Sequence, residues 1–443
     1  MGKTKMKFGG AKMAVLVFAL VVIVAVGARL IGSRFSDTGS TQLSGYGLNV
    51  QRQLGQKAGA KLPAVTALSL PDSLAHEVIS GVAAGAHHSL LLTAKGDVYA
   101  LGENVFHTVS KSDAQTVSEP TKVWFEGLRQ DEKITQLDSS RDHNIALTSQ
   151  GRVYTWGSNF NGQLGDGGHG TLNSPKLVKG APKATQIAAG YRHSAIITDK
   201  GEVYGWGGVC TKEDTTSALQ LIEQAASGIS ALGGYGSTEH AALTSHDIED
   251  CTTVASTFVQ STTPQKLDGL TGMAKQISIG YGHILVMTES GEIYSAGCNT
   301  YRQLGRDKAA DATKNELRKV QLPATASQMS AGYRHSAVIL QNGSSYAWGY
   351  NGPVQSLGVD SAESTVSQPT KVQSDSRFEQ IEAGQDATFA TTNADAIIGW
   401  GQDDVEAFWE PEEQADKHII VRTGPRVGFL SAGFEHLLIL RKE

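Results

Sequence analysis

The sequence predicts an all-β protein, a β-propeller of seven blades, with eight blades as the alternative. Glycine accounts for 50 of the 443 residues, about 11% against the usual ~7%, and no collagen-like period accompanies it. Such a composition is typical of many tight turns between short strands. A unit of roughly 50 residues also repeats along most of the chain without helical periodicity, and a repeat of that length fits propeller blades better than a helical solenoid.

The repeat is clearest at residues 188–207, which read Ala-Ala-Gly-Tyr-Arg-His-Ser-Ala-Ile-Ile-Thr-Asp-Lys-Gly-Glu-Val-Tyr-Gly-Trp-Gly. Its glycine anchor, Gly190, recurs as Gly85, Gly280, Gly332 and Gly433, and Ser140 and Gly384 hold the same place in weaker copies. Each anchor precedes an apolar run, a polar turn and a second apolar run, as expected for short antiparallel strands. A faded copy at residues 239–245, which includes His240, leaves the 190–280 segment as one large blade or two small ones.

The pattern Ala-Gly-x-x-His-Ser, followed by Gly-x-Val-Tyr-x-Trp-Gly-x-Asn-x-x-Gly-Gln-Leu-Gly, resembles the repeat of the regulator of chromosome condensation family. Its best copy runs from Gly151 to Gly165. The resemblance covers residues 43–440 and implies a seven-bladed propeller. A light-sensing plant member of that family has Gly-Trp-Arg-His where this chain has Tyr191 and Tyr333, which argues against light sensing through stacked tryptophans.

The two ends of the repeat region complement each other. The last copy, residues 431–440, stops before its Trp-Gly half, and residues 45–55 supply the missing half at the start of the chain. We therefore predict that strands from both termini share one blade and close the ring. Closure removes the free sheet edges that otherwise promote aggregation.

The N-terminus predicts a membrane segment. Residues 1–12 form a basic tail, 13–31 a transmembrane anchor or signal sequence, 32–42 a linker and 43–440 the propeller. Residues 13–28 carry no charge, and four lysines precede them, so the N-terminus stays inside and the propeller lies outside the cytosol. A cleaved signal would give a secreted protein. The basic, acid-free N-terminus leaves the mitochondrial inner membrane as an alternative.

The charge of the body argues against a nucleic-acid partner. Residues 1–34 hold six of the 38 basic residues and none of the 44 acidic ones, so the rest carries 32 basic against 44 acidic residues, a net charge of −12. Nucleic-acid binding needs clustered cations that displace counterions.

The motifs of enzymes are also missing from the sequence. It contains no phosphate loop, nucleophile elbow or His-Glu-x-x-His pattern. Cys210, Cys251 and Cys298 are too few for a disulfide framework or a zinc site, although Cys210 and Cys251 could pair in an oxidising compartment. We expect no enzyme activity, no cofactor and no metal ion.

The recurring histidines and tryptophans are interpreted as structural, because a catalytic group should break a repeat and not define it. Each histidine should begin a strand and hydrogen-bond to the backbone of its own blade, and each tryptophan should lie in the core. The residues are His88, His143, His193, His283, His335 and His436, with Trp156, Trp206, Trp348 and Trp400.

The two variable positions between the anchor and the histidine are the candidate binding residues. Blade symmetry places these pairs on one face of the disc, and tyrosine and arginine are enriched among interface hot spots. The candidates are Arg141, Tyr191, Arg192, Tyr281, Tyr333, Arg334 and Phe434. A second candidate is the acidic segment 403–416 with Phe408 and Trp409 at its centre, for which a solvated loop is the simpler interpretation.

These observations predict a membrane-tethered, extracytoplasmic module that binds another protein, of unknown identity, through one propeller face. The resemblance also implies an alternative, since the family's nuclear founder is a guanine-nucleotide exchange factor for a small GTPase. That activity needs the cytosol or the nucleus, contrary to the topology of the N-terminus. An organellar assembly factor of the same repeat family is the remaining alternative.

Overall fold

The chain folds into seven four-stranded antiparallel sheets, which are the seven blades of a β-propeller. The structure is a computed structural model, and every structural statement concerns the residues that it describes. These are residues 41–55, 61–208, 259–307, 316–352, 357–374, 376–385, 387–393, 396–401, 419–422, 427–433 and 436–442.

Blades 1 to 3 follow one another along the chain, each numbered from its innermost strand outwards. Blade 1 consists of β3 (Ile79–Ala84), β4 (His88–Thr93), β5 (Val98–Glu103) and β6 (Thr116–Val123). Blade 2 consists of β7 (Ile134–Ser139), β8 (His143–Thr148), β9 (Val153–Gly157) and β10 (Leu172–Leu177). Blade 3 consists of β11 (Ala184–Ala189), β12 (His193–Thr198), β13 (Val203–Gly207) and β14 (Ser261–Lys266).

Blades 4 to 6 repeat this order. Blade 4 consists of β15 (Ala274–Ile279), β16 (His283–Thr288), β17 (Ile293–Gly297) and β18 (Arg318–Lys319). Blade 5 consists of β19 (Ala326–Ala331), β20 (His335–Leu340), β21 (Ser345–Tyr350) and β22 (Thr365–Lys371). Blade 6 consists of β23 (Phe378–Ala383), β24 (Ala387–Thr392), β25 (Ala396–Gly401) and β26 (Ile419–Arg422).

Blade 7 is built from both ends of the chain, as the split repeat predicts. Its strand order is β27 (Val427–Ala432), β28 (His436–Lys442), β1 (Thr41–Leu48) and β2 (Lys61–Ala67). β1 and β28 pair antiparallel from Thr41 opposite Lys442 to Gly47 opposite His436. The closure prediction is confirmed.

The choice between seven and eight blades is decided by blade 3. β13 pairs with β14 in one sheet through Tyr204 opposite Lys266 and Gly205 opposite Gln265. Residues 209–258 therefore connect the third and fourth strands of a single blade. The faded copy with His240, and Cys210 and Cys251, fall in this segment and lie outside the described residues.

Position within a blade explains the composition of its strands. Every residue of the second strand is buried in blades 1 to 6, because this strand has neighbours on both edges and adjacent blades on both faces. The fourth strand lies at the outer edge, and in blades 1 to 5 it is mainly polar. Five of these edge strands contain a proline, which removes a backbone donor and protects the edge from pairing: Pro63, Pro120, Pro175, Pro264 and Pro369.

The membrane prediction concerns another part of the chain. The tail at 1–12, the anchor or signal at 13–31 and nearly all of the 32–42 linker lie outside the described residues. Within the described residues, no helix is long and apolar enough to cross a membrane.

The repeat histidines bond to the next blade, which corrects the expectation of a backbone partner in their own blade. The Nε2 atoms lie 2.8 to 3.0 Å from side-chain oxygens of the following blade, in the pairs His88–Asn144, His143–Ser194, His283–Ser336, His335–Thr388 and His436–Ser89. The last pair joins blade 7 to blade 1, so this contact also crosses the ring closure.

The bonded hydroxyl also holds a loop of the preceding blade. Ser194 Oγ and the Trp206 indole each donate to the Gln163 carbonyl at 2.8 Å, within the Gly-Gln-Leu-Gly loop of blade 2. Because a hydroxyl has one hydrogen and a carbonyl only accepts, the Ser194 oxygen must accept from His143 Nε2–H. We call this arrangement of histidine, hydroxyl, carbonyl and indole the blade clamp. Ser336, Trp348 and the Gln303 carbonyl repeat it between blades 4 and 5.

The anchor glycine makes room for the histidine ring. A Cβ added to Gly280 would lie 2.4 Å from Cε1 of His283, three residues later, and 2.1 Å from the Gly332 carbonyl oxygen. Any other residue would therefore push the ring out of the clamp. His193 differs from the other histidines, because blade 4 has Ile284 at the hydroxyl position. Its buried ring lies close to the backbone of Val259 instead.

Burial keeps the six histidines neutral. Desolvation lowers the pKa from 6.5 to about 3 for His143, His193, His283 and His436. It lowers the pKa to about 4 for His88 and His335. The unfolded chain therefore binds more protons than the native state between about pH 6.5 and pH 4.

This difference predicts a steep loss of stability in mild acid. The contribution of the neutral histidines is complete above pH 6.5 and is lost as pH falls towards the native pKa, at up to ~1.4 kcal/mol per pH unit for each histidine. Urea unfolding at pH 7.5, 6.0 and 5.0 measures the slope, and His335→Gln should reduce it by one proton. Equal unfolding free energies at pH 7.5 and 5.0 would contradict the prediction. Arg152 lowers the pKa of Glu132, so protonation of this carboxyl reduces stability only at lower pH.

Candidate functional site

One face of the propeller carries two sets of loops, and we call it the hub face. Because the strands of a blade alternate in direction, the loops from first to second strand and those from third to fourth strand leave on the same side. In blade 3 the first kind is residues 190–192, next to the axis. In blade 4 the second kind begins at Cys298, farther from the axis.

Three tyrosines from successive blades meet on the hub face. The ring centroids of Tyr191 and Tyr281 are 4.6 Å apart, those of Tyr281 and Tyr333 are 4.5 Å apart, and those of Tyr191 and Tyr333 are 5.6 Å apart. We call this group the tyrosine cluster. Backbone bonds between the loops support it, since Tyr191 N donates to Gly280 O and Tyr333 N to Gly384 O. The cluster therefore stands on a hydrogen-bonded ring of hub loops.

Three arginines surround the tyrosine cluster. The Arg141 guanidinium carbon lies 4.6 Å from the Tyr191 ring centroid, and that of Arg192 lies 5.3 Å from the Tyr281 ring centroid. Arg334 lies 4.9 Å from the ring of Tyr333. These are cation–π distances, which hold the guanidinium groups in fixed orientations. Arg141 also forms an ion pair with Asp142 at 3.0 Å and donates to the Tyr191 hydroxyl.

The residues of the tyrosine cluster and its arginines differ in solvent exposure. Tyr191 is 5% exposed, so its ring belongs mainly to the core, whereas Tyr281, Tyr333, Arg192 and Arg334 are half-buried. The cluster covers one mouth of an axial cavity that all seven blades line with glycine, alanine, serine and isoleucine. This cavity has a volume of about 50 Å³. It has room for water but not for a ligand of ordinary size, which needs ~300 Å³ or more. Binding through this site therefore takes place on its surface.

The structure brings six of the predicted binding residues together: Arg141, Tyr191, Arg192, Tyr281, Tyr333 and Arg334. Phe434 and the 403–416 segment with Phe408 and Trp409 lie outside the described residues. The four repeat tryptophans, Trp156, Trp206, Trp348 and Trp400, are at most 3% exposed. No group of three or more His, Cys, Asp or Glu in the described part of the chain could hold a metal ion.

Two groups of residues were missed by reasoning from the sequence. Tyr301 and Tyr350 join Arg334 on the hub face, and their own rings are 5.5 Å apart. Tyr301 lies in the third-to-fourth-strand loop of blade 4, at a variable position of the repeat, and Tyr350 is the last residue of β21 in blade 5. The first strands also contain a recurring glutamine, and Gln136 and Gln380 each donate to a backbone carbonyl of the next blade, at 3.0 and 3.2 Å. The recurrence of this glutamine in the sequence could have identified it as a structural residue.

Comparison with known protein families agrees with this architecture. Models of the Regulator of chromosome condensation (RCC1) repeat match residues 150–197 and residues 134–163, 274–303 and 326–352. Residues 134–197, 274–303 and 326–352 are thus similar to regulator of chromosome condensation repeats. The matched residues include the clamp residues His143, Ser194 and Trp348, so the blade clamp is built from parts of this repeat.

Curated relatives and solved structures extend the comparison. The chain is 26% identical over 363 residues to the Ultraviolet-B receptor UVR8 of Arabidopsis thaliana. The aligned region covers 81% of the chain and 72% of the receptor. It is 46% identical over 76 residues to the Regulator of chromosome condensation of Drosophila melanogaster, over 17% of the chain and 14% of that protein. Prp20p of Saccharomyces cerevisiae superposes with a TM-score of 0.69 at 19% identity, over 92% of the chain and 93% of Prp20p.

The packing of the tyrosine cluster predicts that Tyr281 stabilises the hub. Tyr281→Ala should lower the free energy of unfolding by about 2 kcal/mol, because the ring contacts both other tyrosines. Tyr281→Phe keeps the ring and should cost less than half as much. Urea unfolding followed by circular dichroism measures both variants. If the alanine variant were as stable as the parent, the cluster would not contribute to the fold.

Proposed function

We propose that the protein is a protein-protein interaction module that binds its partner on the hub face. The observation that carries the proposal is the convergence of Arg141, Arg192, Arg334 and the tyrosine cluster from four successive blades. Tyrosine and arginine are the residues most often found at the centre of protein interfaces. The axial cavity is too small for an organic substrate, which favours recognition of a macromolecular surface.

The relatives support a binding role by analogy. Prp20p, which has the same fold, is described with its binding properties to Gsp1p and histones. Propellers of this repeat thus serve as binding platforms elsewhere, although fold alone does not specify the partner. The partner proposed here is another protein.

A comparison of hub-face and opposite-face variants tests the proposal. Arg192→Ala/Tyr333→Ala removes two half-buried residues of the site and leaves the buried Tyr191 in place. Loss of a hot-spot residue typically costs ~2 kcal/mol or more, which corresponds to about 30-fold weaker binding. The readout is quantitative co-purification with the full chain, after circular dichroism shows that each variant is folded.

The matched control is Arg129→Ala/Arg377→Ala, which removes two exposed arginines from turns of the opposite face. These turns join the fourth strand of one blade to the first strand of the next. The control should retain every partner of the parent. Equal retention by folded hub-face variants would disprove binding through the hub face.

We also propose that the propeller is tethered to a membrane and lies outside the cytosol. The support is the uncharged run at residues 13–28, which follows four lysines, Lys3, Lys5, Lys7 and Lys12. Protease added to spheroplasts or mitoplasts should digest the propeller. Full protection that disappears after lysis would place the propeller in the cytosol or matrix. It would favour the exchange-factor alternative, which requires the cytosol or the nucleus.

A further inference from the structure

We propose that the face opposite the hub face lies against a lipid bilayer that contains anionic lipids, with Trp124, Leu177 and Met273 at the level of the headgroups. The inference rests on the proposed membrane tether and specifies which side of the propeller meets the membrane. This side carries the turns between second and third strands and the connections from one blade to the next. The hub face then points away from the bilayer, towards a protein partner.

The first observation is where the exposed apolar side chains lie. Among the described residues, the strongly exposed large apolar ones are Trp124, Leu177 and Met273, which are 70%, 44% and 46% exposed. Trp124 follows β6, Leu177 ends β10 and Met273 precedes β15. Fourth strands run away from the hub face and first strands run towards it, so all three lie on the opposite face. Exposed apolar residues scattered over a surface are normal, whereas their restriction to one face indicates a contact surface.

The second observation is that these positions are polar in other blades. Trp124 follows the buried residue that closes the outer strand of blade 1, and blades 2 to 5 have at this place Lys179, Asp268, Gln321 and Gln373. Met273 directly precedes an inner strand, where blades 2, 3, 5 and 6 have Lys133, Lys183, Thr325 and Arg377. The fold accommodates a polar residue at both positions, so it does not require the apolar ones.

Leu177 replaces one half of a charged pair. The outer strands of blades 1, 3 and 4 have a lysine here that pairs, at 2.6 to 2.9 Å, with an acidic residue next to the third strand: Lys122–Asp97, Lys266–Glu202 and Lys319–Glu292. Blade 2 has Leu177 in place of the lysine and Arg152 in place of the acid. Arg152 pairs with the buried Glu132. Leu177 thus presents an apolar side chain to solvent where the fold accepts a lysine.

The contacts around Trp124 keep its ring at the surface. The next residue, Phe125, packs into the core, and its ring centroid lies 5.6 Å from that of Trp156. Lys122 Nζ lies 4.9 Å from the Trp124 ring centroid, so the ring and an ammonium group stand together at the surface. Tryptophan is enriched at the membrane–water interface, where its amphipathic ring lies at the level of the headgroups.

The surface of blade 2 on this side is basic. Residues 124–133, 148–152 and 176–183 contain six basic and three acidic residues, although the propeller as a whole carries a negative net charge. The exposed lysines of these segments are Lys133, Lys179 and Lys183. Basic residues near a membrane surface attract anionic lipids. A basic surface with exposed tryptophan and leucine therefore fits an anionic bilayer better than a neutral one.

The chain also enters the propeller on this face. β28 begins at the hub face, and its far end, Lys442, lies opposite Thr41 at the start of β1. Twelve residues separate Thr41 from the uncharged run at 13–28. Twelve residues reach at most roughly 45 Å, so the proposed tether keeps this face close to the bilayer. The position of Thr41 and the chemistry of the surface are independent, and they indicate the same side.

Quenching of tryptophan fluorescence by spin-labelled lipid tests the contact. The full chain is reconstituted into vesicles of phosphatidylcholine and phosphatidylglycerol at 7:3, with or without a nitroxide on the headgroup. Trp124→Phe isolates the Trp124 emission by difference, because the four repeat tryptophans are buried and any signal of Trp409 cancels. The nitroxide should quench at least half of the Trp124 emission.

The matched control moves the tryptophan to the other end of the same outer strand. Trp124→Phe/Ala114→Trp places an exposed tryptophan in the hub-face loop before β6. Less than a fifth of its emission should be quenched, because the hub face points away from the bilayer. Circular dichroism verifies that each variant is folded.

Charge reversal tests the role of the lysines. Lys179→Glu/Lys183→Glu changes two exposed side chains, and it should reduce the quenching of Trp124 at least twofold. Vesicles of phosphatidylcholine alone should have the same effect on the parent. Flotation of the vesicles in 0.5 M NaCl measures the tether separately, and the reversed variant should float as the parent does.

Three results would overturn the inference. They are equal quenching at positions 124 and 114, quenching that responds neither to charge reversal nor to lipid charge, and unquenched Trp124 with loss of a co-purified protein in Trp124→Ala/Leu177→Lys. The last result would assign this face to a protein partner. Failure of the tether is distinguishable, because the full chain then leaves the vesicles in 0.5 M NaCl. A chain that floats with unquenched Trp124 keeps the tether and disproves the orientation.

Discussion

The propeller depends on the blade clamp, because no blade can bury its core alone. A histidine of one blade donates to a hydroxyl of the next, and that hydroxyl holds a loop carbonyl of the first blade. Each clamp thus ties two blades at three points within a buried region. A buried polar group without a partner costs ~1–3 kcal/mol. Removal of one member of the clamp therefore destabilises the fold, because it leaves the polar groups of the other members without a partner. Gly280 packs tightly against the His283 ring, and the clamp needs this contact to keep the ring in place.

The clamp and the loop that it holds change together along the chain. Blade 4 has Ile284 and Ala296 where blades 3 and 5 have a serine and a tryptophan, and it follows the blade interrupted by residues 209–258. Blade 7 has Leu437 at the hydroxyl position, and it follows the blade in which residues 402–418 replace the Gly-Gln-Leu-Gly loop. An apolar residue at this buried position leaves no hydroxyl that would need a partner.

The same constraint makes the hub face suitable for recognition. The clamp fixes the first-to-second-strand loops, so the tyrosine cluster and its arginines stand on rigid supports and lose little entropy on binding. The two irregular connections, residues 209–258 of blade 3 and 402–418 of blade 6, join the third and fourth strands of their blades. Blades 3 to 5 supply the tyrosines of the cluster. The contacts that stabilise the fold thus lie between the blades, whereas the sequence varies between repeats in the loops of the hub face.

The sequence by itself determined the strands, the repeat, the ring closure and the positions of most binding candidates, because these follow from local periodicity and from glycine anchors about 50 residues apart. Tertiary structure alone decided the number of blades, the partners of His143 and His283, the burial of Tyr191 and the contribution of Tyr301. Each of these depends on which residues of neighbouring blades face one another. A repeat shows that positions are equivalent but not which side chains touch, since contacts between blades join residues far apart in the chain.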